Sequence, residues 1–438
     1  MTIIKWARFA TALLTAASMV PAITAPLSRN RTYYLDPSGS DTSDGLSPNS
    51  AWQSLDRANS TRFSAGDSLL LRGGAHFTGT LHLDGGDAGK ALQGVTIGAY
   101  GGGRATINSQ AGPAVFVRNA AAVRIRDLVA AGDAAAYNTA GGIVFYNDAS
   151  SGRAFPGVTI SDVEVSGFNN GIEIGGPRAG FHNVVVTRGV VHDNREAGLV
   201  TYGPPFDPSA PRYANANVSV TSVEAFRNAG DATNTTRNTG SGIILGSVHG
   251  GTVARSSAHD NGWLCTAGEG PAGIWAYDST GVVIEHNVAY RNLTGGTVDG
   301  DGFDLDQNTS DSVLQYNLAY DNDGAGFLLY AAHSGLHNKN NVVRYNVSSG
   351  SPRKGSWYGG ITVAGHVSGA QVYGNKAVVA ATGERPAVRL SGPLSSIVVR
   401  DNVLVAGDNG PFIAAEGVDS SAYVLQNNAY YGPSGVRR

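Results

Sequence analysis

The most concentrated chemistry in the chain lies at residues 299–306, which read Asp-Gly-Asp-Gly-Phe-Asp-Leu-Asp. Four carboxyl groups within eight residues are unusual in a protein in which only 15% of residues are charged. Carboxylates placed side by side repel one another, so they need a proton, a cation or a catalytic task. Side chains alternate along a strand, which predicts Asp304 and Asp306 on one face with Cα atoms about 6.5–7 Å apart. Asp299 and Asp301 are predicted in the turn that leads into this strand.

Two kinds of chemistry fit this acidic segment. Two carboxyl groups can act as acid and as base or nucleophile in glycoside hydrolysis, at separations of about 5–5.5 Å or 6.5–9.5 Å. Asp304 and Asp306 are the leading catalytic candidates, and Asp301 is expected to tune their pKa values. Alternatively, Asp299, Asp301, Asp304 and Asp306 together form a candidate Ca²⁺ site, since Ca²⁺ prefers oxygen ligands. A solvated acidic turn, or a purely structural Ca²⁺ site, is the third interpretation.

A repeat of about 30 residues must position these side chains. Its clearest copies are VIEHNVAYRN, VLQYNLAYDN and VVRYNVSSG, and ten intervals separate Asp127 from Asn428. Each interval also contains a short strand that begins with glycine, such as GIWAY, GFDLD or GFLLY. Short strands at this period, without intervening helices, predict a solenoid of parallel β coils stacked about 4.8 Å apart. The recurring asparagines are predicted to form a structural side-chain ladder: Asn287, Asn317, Asn346, Asn375, Asn402 and Asn428.

Further candidate side chains surround the acidic coil. Residues two and four places after the leading glycine are predicted to point outward, which exposes aromatic faces suited to stacking on sugar rings. The substrate-binding candidates of this kind are Trp275, Tyr277 and Tyr330, one coil from the Asp pair, and Tyr202, three coils away. Glu269, in the preceding loop, is a candidate third carboxylate that contacts substrate. His333 is a candidate proton donor or acceptor near neutral pH.

The segment YYLDPSGSDTSDGLSPNSAWQSL, the strand GDSLLLRGG and the Asn-bearing repeats resemble secreted right-handed parallel β-helix proteins of the pectate-lyase-like superfamily. The resemblance covers roughly residues 32–432. It implies an all-β fold, a right-handed single-stranded parallel β-helix (β-solenoid) with an N-terminal cap. The superfamily contains polysaccharide lyases, glycoside hydrolases and epimerases, so the resemblance implies a polysaccharide substrate. Its lyases use Ca²⁺ to bind a uronate carboxylate and acidify the α-proton.

The same face is similar to a β-helix group with β-xylosidase activity, whose catalytic Asp ends a comparable glycine-led strand. Asp306 matches that position. The acid of that group on the next coil would fall near Tyr330, which cannot replace a carboxylic acid. A lyase of the superfamily often takes Lys or Arg as its base, but Lys is scarce and Arg389 lies about three coils, roughly 14 Å, from Asp304. The scarcity of lysine and the distance of Arg389 favour a hydrolase over a lyase, and Lys339, Lys354 and Arg353, in loops on the side of the acidic coil, are the remaining candidate bases of a lyase.

Net charge, the N-terminal segment and the cysteine count indicate which binding partners and which cellular location to expect. The net charge of -3, from 31 basic and 34 acidic residues, disfavours nucleic-acid binding. Lys5, Arg8 and the apolar stretch after them predict a signal peptide at 1–25 and secretion to the extracellular space or periplasm. After this stretch the sequence contains no run of 18 consecutive apolar residues, so it does not predict a later membrane-spanning helix. The single Cys265 excludes an intramolecular disulfide, and we expect a monomer.

The predicted organisation places an N-terminal cap region at 26–66, the parallel β-helix at 67–432 and a tail at 433–438. The predicted function is cleavage of glycosidic bonds in a polysaccharide by a glycoside-hydrolase mechanism. A Ca²⁺-dependent polysaccharide lyase or epimerase is the first alternative. A non-catalytic glycan-binding or cell-surface rod is the second, and it would keep the aromatic strip while tolerating loss of the Asp pair.

Overall fold

The computed structural model describes residues 30–85, 94–133, 138–355, 357–380, 384–407 and 409–435. The predicted signal peptide at 1–25 and the last three residues of the predicted tail lie outside these ranges. Within them, no helix is both long and apolar enough to cross a membrane.

The described strands form three parallel sheets, and successive coils of the chain add strands to each sheet in turn. The first sheet contains 17 strands: Thr32–Leu35, Ser68–Arg72, Val95–Tyr100, Val123–Arg126, Phe155–Ser161, Phe181–Thr187, Asn215–Thr221, Val248–Ala254, Thr280–Glu285, Thr309–Ser310, Val313–Gln315, Asn338–Lys339, Val342–Arg344, Val367–Ser368, Gln371–Tyr373, Ile397–Arg400 and Tyr423–Gln426.

The second sheet contains 12 strands: Leu81–Asp84, Val115–Arg118, Ile143–Tyr146, Asn170–Gly175, Ala197–Thr201, Ser241–Gly246, Ala272–Tyr277, Asp301–Leu305, Phe327–Ala331, Ile361–Gly365, Val388–Ser391 and Ile413–Glu416. The third sheet contains 13 strands: His76–Thr78, Ala105–Asn108, Leu128–Ala131, Glu164–Ser166, Val190–His192, Glu224–Phe226, Ser257–His259, Val288–Tyr290, Leu318–Tyr320, Val347–Ser349, Lys376–Val378, Val403–Val405 and Ala429–Tyr431. The predicted parallel β-solenoid is therefore confirmed.

The core runs along the axis of the solenoid, between the three sheets. Phe303 and Leu305 of the acidic coil are fully buried, and so is Phe327 on the next coil. The rings of Phe303 and Phe327 stack with centroids 5.1 Å apart, the spacing expected between coils. Alternation along each strand thus places one set of residues in the core and leaves the other set on the outer face.

The predicted asparagine ladder is present. Asn287 Nδ2 donates to Asn317 Oδ1 at 3.1 Å, and Asn317 Nδ2 donates to Asn346 Oδ1 at 3.1 Å. The same amides also donate to strand carbonyls, for example Asn317 Nδ2 to the oxygen of Ile284 at 2.8 Å. The left-handed backbone at this turn falls on the residue before each asparagine, such as Tyr316 with φ of 56°. The asparagines therefore act as hydrogen-bonding residues of a regular turn.

A second ladder, which the sequence analysis does not identify, lies at the other side of the third sheet. Asn228 Nδ2 donates to Asn261 Oδ1 at 2.9 Å, and Asn261 Nδ2 donates to Asn292 Oδ1 at 2.9 Å. The sequence signal is the asparagine that closes the motifs AFRN, AHDN and AYRN. The two ladders flank the strands Val288–Tyr290 and Leu318–Tyr320 of the third sheet, where their buried amides bond backbone groups at the turns.

The N-terminal segment joins the solenoid directly. Thr32–Leu35 pairs in parallel with Ser68–Arg72 and so begins the first sheet inside the predicted cap region. The single α-helix of the described residues, Leu55–Asn59, buries Leu55 and Ala58. The side chain of Asn59 accepts from the N–H of His82 and donates to the oxygen of Thr80, both at 2.9 Å. These bonds satisfy backbone groups at the first edge of the second sheet.

Candidate active site

The outer face of the second sheet aligns one residue from each coil into a column. In the observed register, Glu173 lies beside Val200, and Ile244 lies beside Trp275, which lies beside Asp304. The column continues through Leu328, Thr362 and Arg389. The residues from Glu173 to Thr362 each stand two places after the leading glycine of their strand, as predicted for outward residues, and the register places Arg389 three coils from Asp304. Arg389 is buried and pairs with Glu416 at 2.6 Å.

A cleft of about 1030 Å³ lies over this face. Its floor comes from the strands of the second sheet, and its walls come from loops that enter or leave those strands. The lining side chains that matter for the chemistry are Asn170, Glu173, Glu196, Tyr202, Arg237, Ile244, Glu269, Trp275, Tyr277, Asp299, Asp301, Asp304, Asp306, Tyr330, Lys354, Trp357 and Tyr358. The four aspartates of the acidic coil thus share one cleft with aromatic side chains.

Asp304 and Asp306 occupy the floor of the cleft. Asp304 lies in the strand Asp301–Leu305 and is 6% exposed. Asp306 follows the strand, and its N–H donates to the oxygen of Ala276 at 2.8 Å, which continues the parallel pairing. Each carboxyl group has one buried oxygen, Oδ1, without a hydrogen-bond partner among the described residues. Because buried polar atoms normally have a partner, each of these oxygens requires a proton, a water molecule or a bound group.

Asp301 and Asp299 are tied to backbone and to the cleft wall. The N–H of Ala325 donates to Asp301 Oδ1, and Asp301 Oδ2 is buried without a partner among the described residues. Asp299 Oδ2 accepts from the N–H of Gly270 at 2.8 Å, and its Oδ1 accepts from the hydroxyl of Tyr358 at 2.6 Å. These contacts orient the turn that precedes the acidic strand.

Burial and mutual repulsion raise the pKa values of these carboxyl groups. Burial raises the pKa of Asp304 well above its usual range, and the nearby carboxyl groups of Asp306, Asp301 and Asp299 raise it further. Burial also raises the pKa of Asp306 to about 7, although the N–H of Gln307 opposes this rise. Both carboxyl groups therefore bind a proton more tightly than an exposed aspartate does, as expected for buried carboxyl groups that lie close together.

The pKa of Asp301 is also raised well above its usual range, by burial and by the charge of Asp299. Burial raises the pKa of Asp299 as well, although the hydroxyl of Tyr358 and the N–H of Gly270 favour its ionised form. The acidic coil therefore carries fewer negative charges at neutral pH than its four carboxyl groups suggest.

Trp275 differs from its prediction as an exposed stacking residue. It is 5% exposed and packs in an apolar cluster with Ala197, Ile244 and Ala272. Its Nε1 donates to Ser241 Oγ at 3.1 Å. Strands of adjacent coils lie about 4.8 Å apart, so a large side chain on the outer face packs against side chains of the neighbouring coils. For Trp275 these are Ala197, Ile244 and Ala272. Trp275 thus forms the apolar floor of the cleft.

The other predicted residues are distributed unevenly. Tyr202, Tyr277 and Tyr330 are half-buried and line the cleft, and burial raises the pKa of Tyr277 to about 12. Glu269 is exposed on the wall, and its charge contributes to the raised pKa of Asp306. His333 does not line the cleft, which ends at Ala332 on this segment. His333 is exposed in the following loop, where its Nδ1 accepts from the N–H of Gly335 at 3.3 Å.

Two aromatic residues of the cleft were not predicted from the sequence. Trp357 is 40% exposed, and its ring meets that of Tyr330 edge-on with centroids 6.4 Å apart. Tyr358 is buried and donates to Asp299. Both lie in a loop just before the strand Ile361–Gly365, so an analysis restricted to strand columns does not find them. The adjacent Trp-Tyr pair in an otherwise polar loop is the signal that identifies them.

Asp299, Asp301, Asp304 and Asp306 stay the predicted ligands of a Ca²⁺ site. In the part of the chain that the structure describes, no group of three or more His, Cys, Asp or Glu residues is arranged to hold a metal ion. Asp299 contacts Tyr358 and Gly270, and Asp301 Oδ1 accepts from the N–H of Ala325. Dependence on Ca²⁺ stays a prediction for experiment.

Comparison with known proteins agrees with this architecture. Residues 214–377 match the family described as "Right handed beta helix region". No curated protein sequence matches the chain significantly. Among solved structures, the chain is similar to the GH136 lacto-N-biosidase from Eubacterium ramulus, with 17% identity, a TM-score of 0.63, and coverage of 91% of this chain and 68% of that one.

Two further structures share the fold. The A-module of a mannuronan C-5 epimerase from Azotobacter vinelandii has 17% identity and a TM-score of 0.55, with coverage of 84% of this chain and 90% of that one. The Dettilon tailspike protein has 13% identity and a TM-score of 0.54, with coverage of 90% and 70%. At these identities the likeness concerns the fold, because one fold hosts many activities. The three sheets, the family match and these structures together establish that the chain is a right-handed parallel β-helix protein.

Proposed function

We propose that the protein is a carbohydrate-active enzyme that hydrolyses glycosidic bonds of a polysaccharide bound along the cleft. Asp304, whose pKa is raised well above its usual range by burial and by the nearby carboxyl groups, would protonate the oxygen of the leaving group as general acid. Asp306, with a pKa of about 7, would act as base toward water or as nucleophile. If Asp306 acts as base, it gains a proton from water while Asp304 loses one to the leaving group, and exchange with solvent resets both. If Asp306 acts as nucleophile, Asp304 regains its proton from the water that hydrolyses the glycosyl-enzyme.

The observation that carries this proposal is the pair of orphaned carboxyl oxygens on the cleft floor. Asp304 Oδ1 and Asp306 Oδ1 are buried, have no partner among the described residues and belong to residues two positions apart on one face. A strand rise of about 3.3 Å places their Cα atoms roughly 6.5–7 Å apart. Carboxyl groups carried at this spacing can flank a glycosidic bond.

The basic residues of the cleft favour hydrolysis over elimination. A lyase needs a base for the α-proton and a positive charge beside the uronate carboxylate. Lys354 Nζ donates to the oxygen of Thr294 at 2.7 Å, and Arg237 is bound to Glu196, so both cations are engaged away from the Asp pair. Raised pKa values also suit hydrolysis, since a carboxylic acid that keeps its proton can act as the acid.

The structural neighbours support a carbohydrate substrate without deciding the reaction. One is named a lacto-N-biosidase, which supports the hydrolase, and another is named a mannuronan C-5 epimerase, which supports the alternative. An epimerase or Ca²⁺-dependent lyase is therefore the second candidate function. A non-catalytic glycan-binding rod is the third, because the aromatic cleft could bind a glycan without the carboxyl groups.

The deciding experiment offers the protein a panel of neutral and uronic-acid polysaccharides, with glycans that end in lacto-N-biose. New reducing ends, absorbance at 235 nm and the C-5 configuration of the uronates by NMR are followed with and without EDTA. We expect new reducing ends without a rise at 235 nm, unaffected by EDTA. The variants Asp304→Asn and Asp306→Asn should abolish them, while Asp56→Asn, on the exposed face of the N-terminal helix, should not.

Other outcomes separate the alternatives. A rise at 235 nm that EDTA abolishes would establish the Ca²⁺-dependent lyase. Inversion at C-5 without cleavage would establish the epimerase. Silence across the panel, with glycan binding intact in both Asn variants, would favour the binding rod and reject the catalytic role of the Asp pair for those substrates.

A further inference from the structure

A second polar cluster lies at the opposite end of the cleft from the Asp pair. The carboxyl group of Glu173 accepts from Asn170 Nδ2 at 3.3 Å through Oε2, and the nearby hydroxyl of Tyr202 favours its ionised form. All three residues line the cleft. Burial raises the pKa of Glu173, so this carboxyl keeps its proton to higher pH than an exposed glutamate. A protonated carboxyl group can both donate and accept a hydrogen bond.

The strand register fixes the position of this cluster relative to the Asp pair. Glu173 and Asp304 occupy the same outward column and are separated by Val200, Ile244 and Trp275. Four strand steps of about 4.8 Å place the two carboxyl groups about 19 Å apart along the axis of the solenoid. One sugar ring cannot contact both groups, but an extended chain of sugars lying along the cleft can.

The floor between the two acidic ends is apolar. Ile244 and Trp275 are 6% and 5% exposed and pack with Ala197 and Ala272, and Val200 adds to this cluster. A sugar ring has an apolar face of C–H groups and a rim of hydroxyl groups. An apolar floor with hydrogen-bonding groups at both ends therefore matches an extended carbohydrate, whose middle rings pack on the floor.

The charge of the lining side chains selects among carbohydrates. The described lining residues include seven carboxyl side chains but two basic ones, Arg237 and Lys354. The guanidinium of Arg237 donates to both carboxyl oxygens of Glu196, so these N–H groups are not available to a carboxylate of the substrate. Lys354 Nζ donates to the oxygen of Thr294, so both cations of the lining are engaged by the protein and are poorly placed to pair with the carboxylates of a polyuronate, whereas an uncharged glycan needs no such partner.

We propose that Glu173, with Asn170 and Tyr202, forms a distal subsite that binds hydroxyl groups of a neutral oligosaccharide whose other end reaches Asp304 and Asp306. The inference rests on the proposed function for the identity of the cleft as a glycan site, but it concerns binding and substrate length. It assigns Glu173 as a substrate-positioning residue that gives the protein preference for long, uncharged chains.

The test measures binding without turnover. Xylo- and cello-oligosaccharides of two and six units, and a hexagalacturonate, are titrated calorimetrically into the Asp306→Asn protein with and without Glu173→Ala. We expect the hexasaccharide affinity to fall about tenfold in Glu173→Ala, since a buried hydrogen bond to a carboxyl group has this strength. The disaccharide affinity should not change. Glu173→Gln, which keeps a donor and an acceptor, should restore most of the loss, and Glu224→Ala on the third sheet should have no effect.

Each remaining outcome is decisive for the subsite. The subsite is rejected if Glu173→Ala lowers the affinities of the two-unit and six-unit probes equally, or leaves the hexasaccharide affinity unchanged. It is also rejected if the hexagalacturonate binds more tightly than the neutral hexasaccharides, or if no probe binds. Failure of the proposed function is distinct from these results. If the native protein cleaves nothing but Glu173→Ala weakens only the long neutral probe, the subsite stands and the catalytic Asp pair falls.

Discussion

The hydroxyl of Tyr358 makes two hydrogen bonds to Asp299. Its oxygen accepts from the backbone N–H of Asp299 at 2.8 Å, and its O–H donates to Asp299 Oδ1 at 2.6 Å. This contact joins the wall loop, which also carries the exposed Trp357, to the turn that leads into the acidic strand. The wall of the cleft and the orientation of its carboxyl groups therefore depend on one another.

Removing this link should affect stability and the pH profile together. In Tyr358→Phe, the N–H of Asp299 loses its partner and its ionised carboxylate loses a donor, which should cost about 1–3 kcal/mol of unfolding free energy. The pKa of Asp299 should rise, so less negative charge should act on Asp306. The acidic limb of the activity profile should then move to lower pH. Chemical denaturation and pH–rate profiles check both effects.

Tyr316→Phe is the matched control for this change, because Tyr316 is 48% exposed and lies away from the cleft. It should alter neither measurement. An unchanged pH profile in Tyr358→Phe would show that Asp299 does not act electrostatically on the Asp pair.

The dependence of activity on pH should report the two carboxyl groups of the pair. Asp306 must be ionised, so kcat/KM should rise as the pH increases through about 7. Asp304 must be protonated, so kcat/KM should fall at higher pH, where its raised pKa is reached. The negative charge of Glu269 contributes to the raised pKa of Asp306. Glu269→Gln should therefore move the acidic limb to lower pH, and Glu224→Gln should not; movement to higher pH would contradict this electrostatic role.

Stability should fall as the pH rises across the same range. The folded protein binds protons at Asp304 and Asp306 more tightly than the unfolded chain, whose aspartates titrate near 3.8. These two groups contribute fully to the free energy of unfolding below pH 3.8. That contribution is lost as the pH rises through their pKa values in the folded protein, about 7 for Asp306. Asp304→Asn should remove part of this loss, raising the unfolding free energy at pH 8 by about 1.4 kcal/mol or more.

Denaturation of Asp304→Asn and of the native protein at pH 4 and pH 8 measures this effect. The difference between the two proteins should be larger at pH 8. An Asn variant that is equally destabilised at both values would indicate that Asp304 is ionised in the folded protein and stabilised by a partner.

Truncation of the two tryptophans of the cleft should affect different properties: stability for Trp275 and glycan binding for Trp357. Trp275→Ala removes a buried ring from the floor and should cost about 3–5 kcal/mol of unfolding free energy. Trp357→Ala removes a ring that is 40% exposed and should change stability by less than about 0.5 kcal/mol. The latter should weaken glycan binding about three- to tenfold. Thermal denaturation and calorimetric binding test this contrast, which fails if Trp357→Ala binds normally.

The asparagine ladder should be most sensitive at its centre. Asn317→Ala leaves the N–H of Asn287 and the oxygen of Ile284 without the partners they have in the folded protein. Two unsatisfied buried groups should cost about 3 kcal/mol or more. Asn428→Ala, at the last rung and only half-buried, should cost less. If the two variants lose equal amounts of unfolding free energy in denaturation experiments, the contribution of an asparagine does not depend on its position in the ladder.

The solenoid, the first asparagine ladder and the acidic coil can be predicted from the sequence alone. Asparagines recurring at about 30 residues and glycine-led strands with alternating apolar residues leave few other ways to bury the core. The same alternation predicted the outward column that contains Glu173, Trp275 and Asp304, because side-chain direction in a strand follows from position alone. These features are local or periodic, so they can be recognised in one dimension.

Which of these residues share a cleft, and how far each is exposed, depends on how coils and loops pack in three dimensions. Trp275 is buried by neighbours on other coils, and His333 leaves the cleft because its loop turns away after Ala332. The contact of Tyr358 with Asp299 joins residues 59 positions apart through a loop that has no periodic pattern. Burial, and the raised pKa values that follow from it, depend on all atoms within a few ångströms. A repeat specifies the distance between coils, whereas the loops between strands specify what covers them.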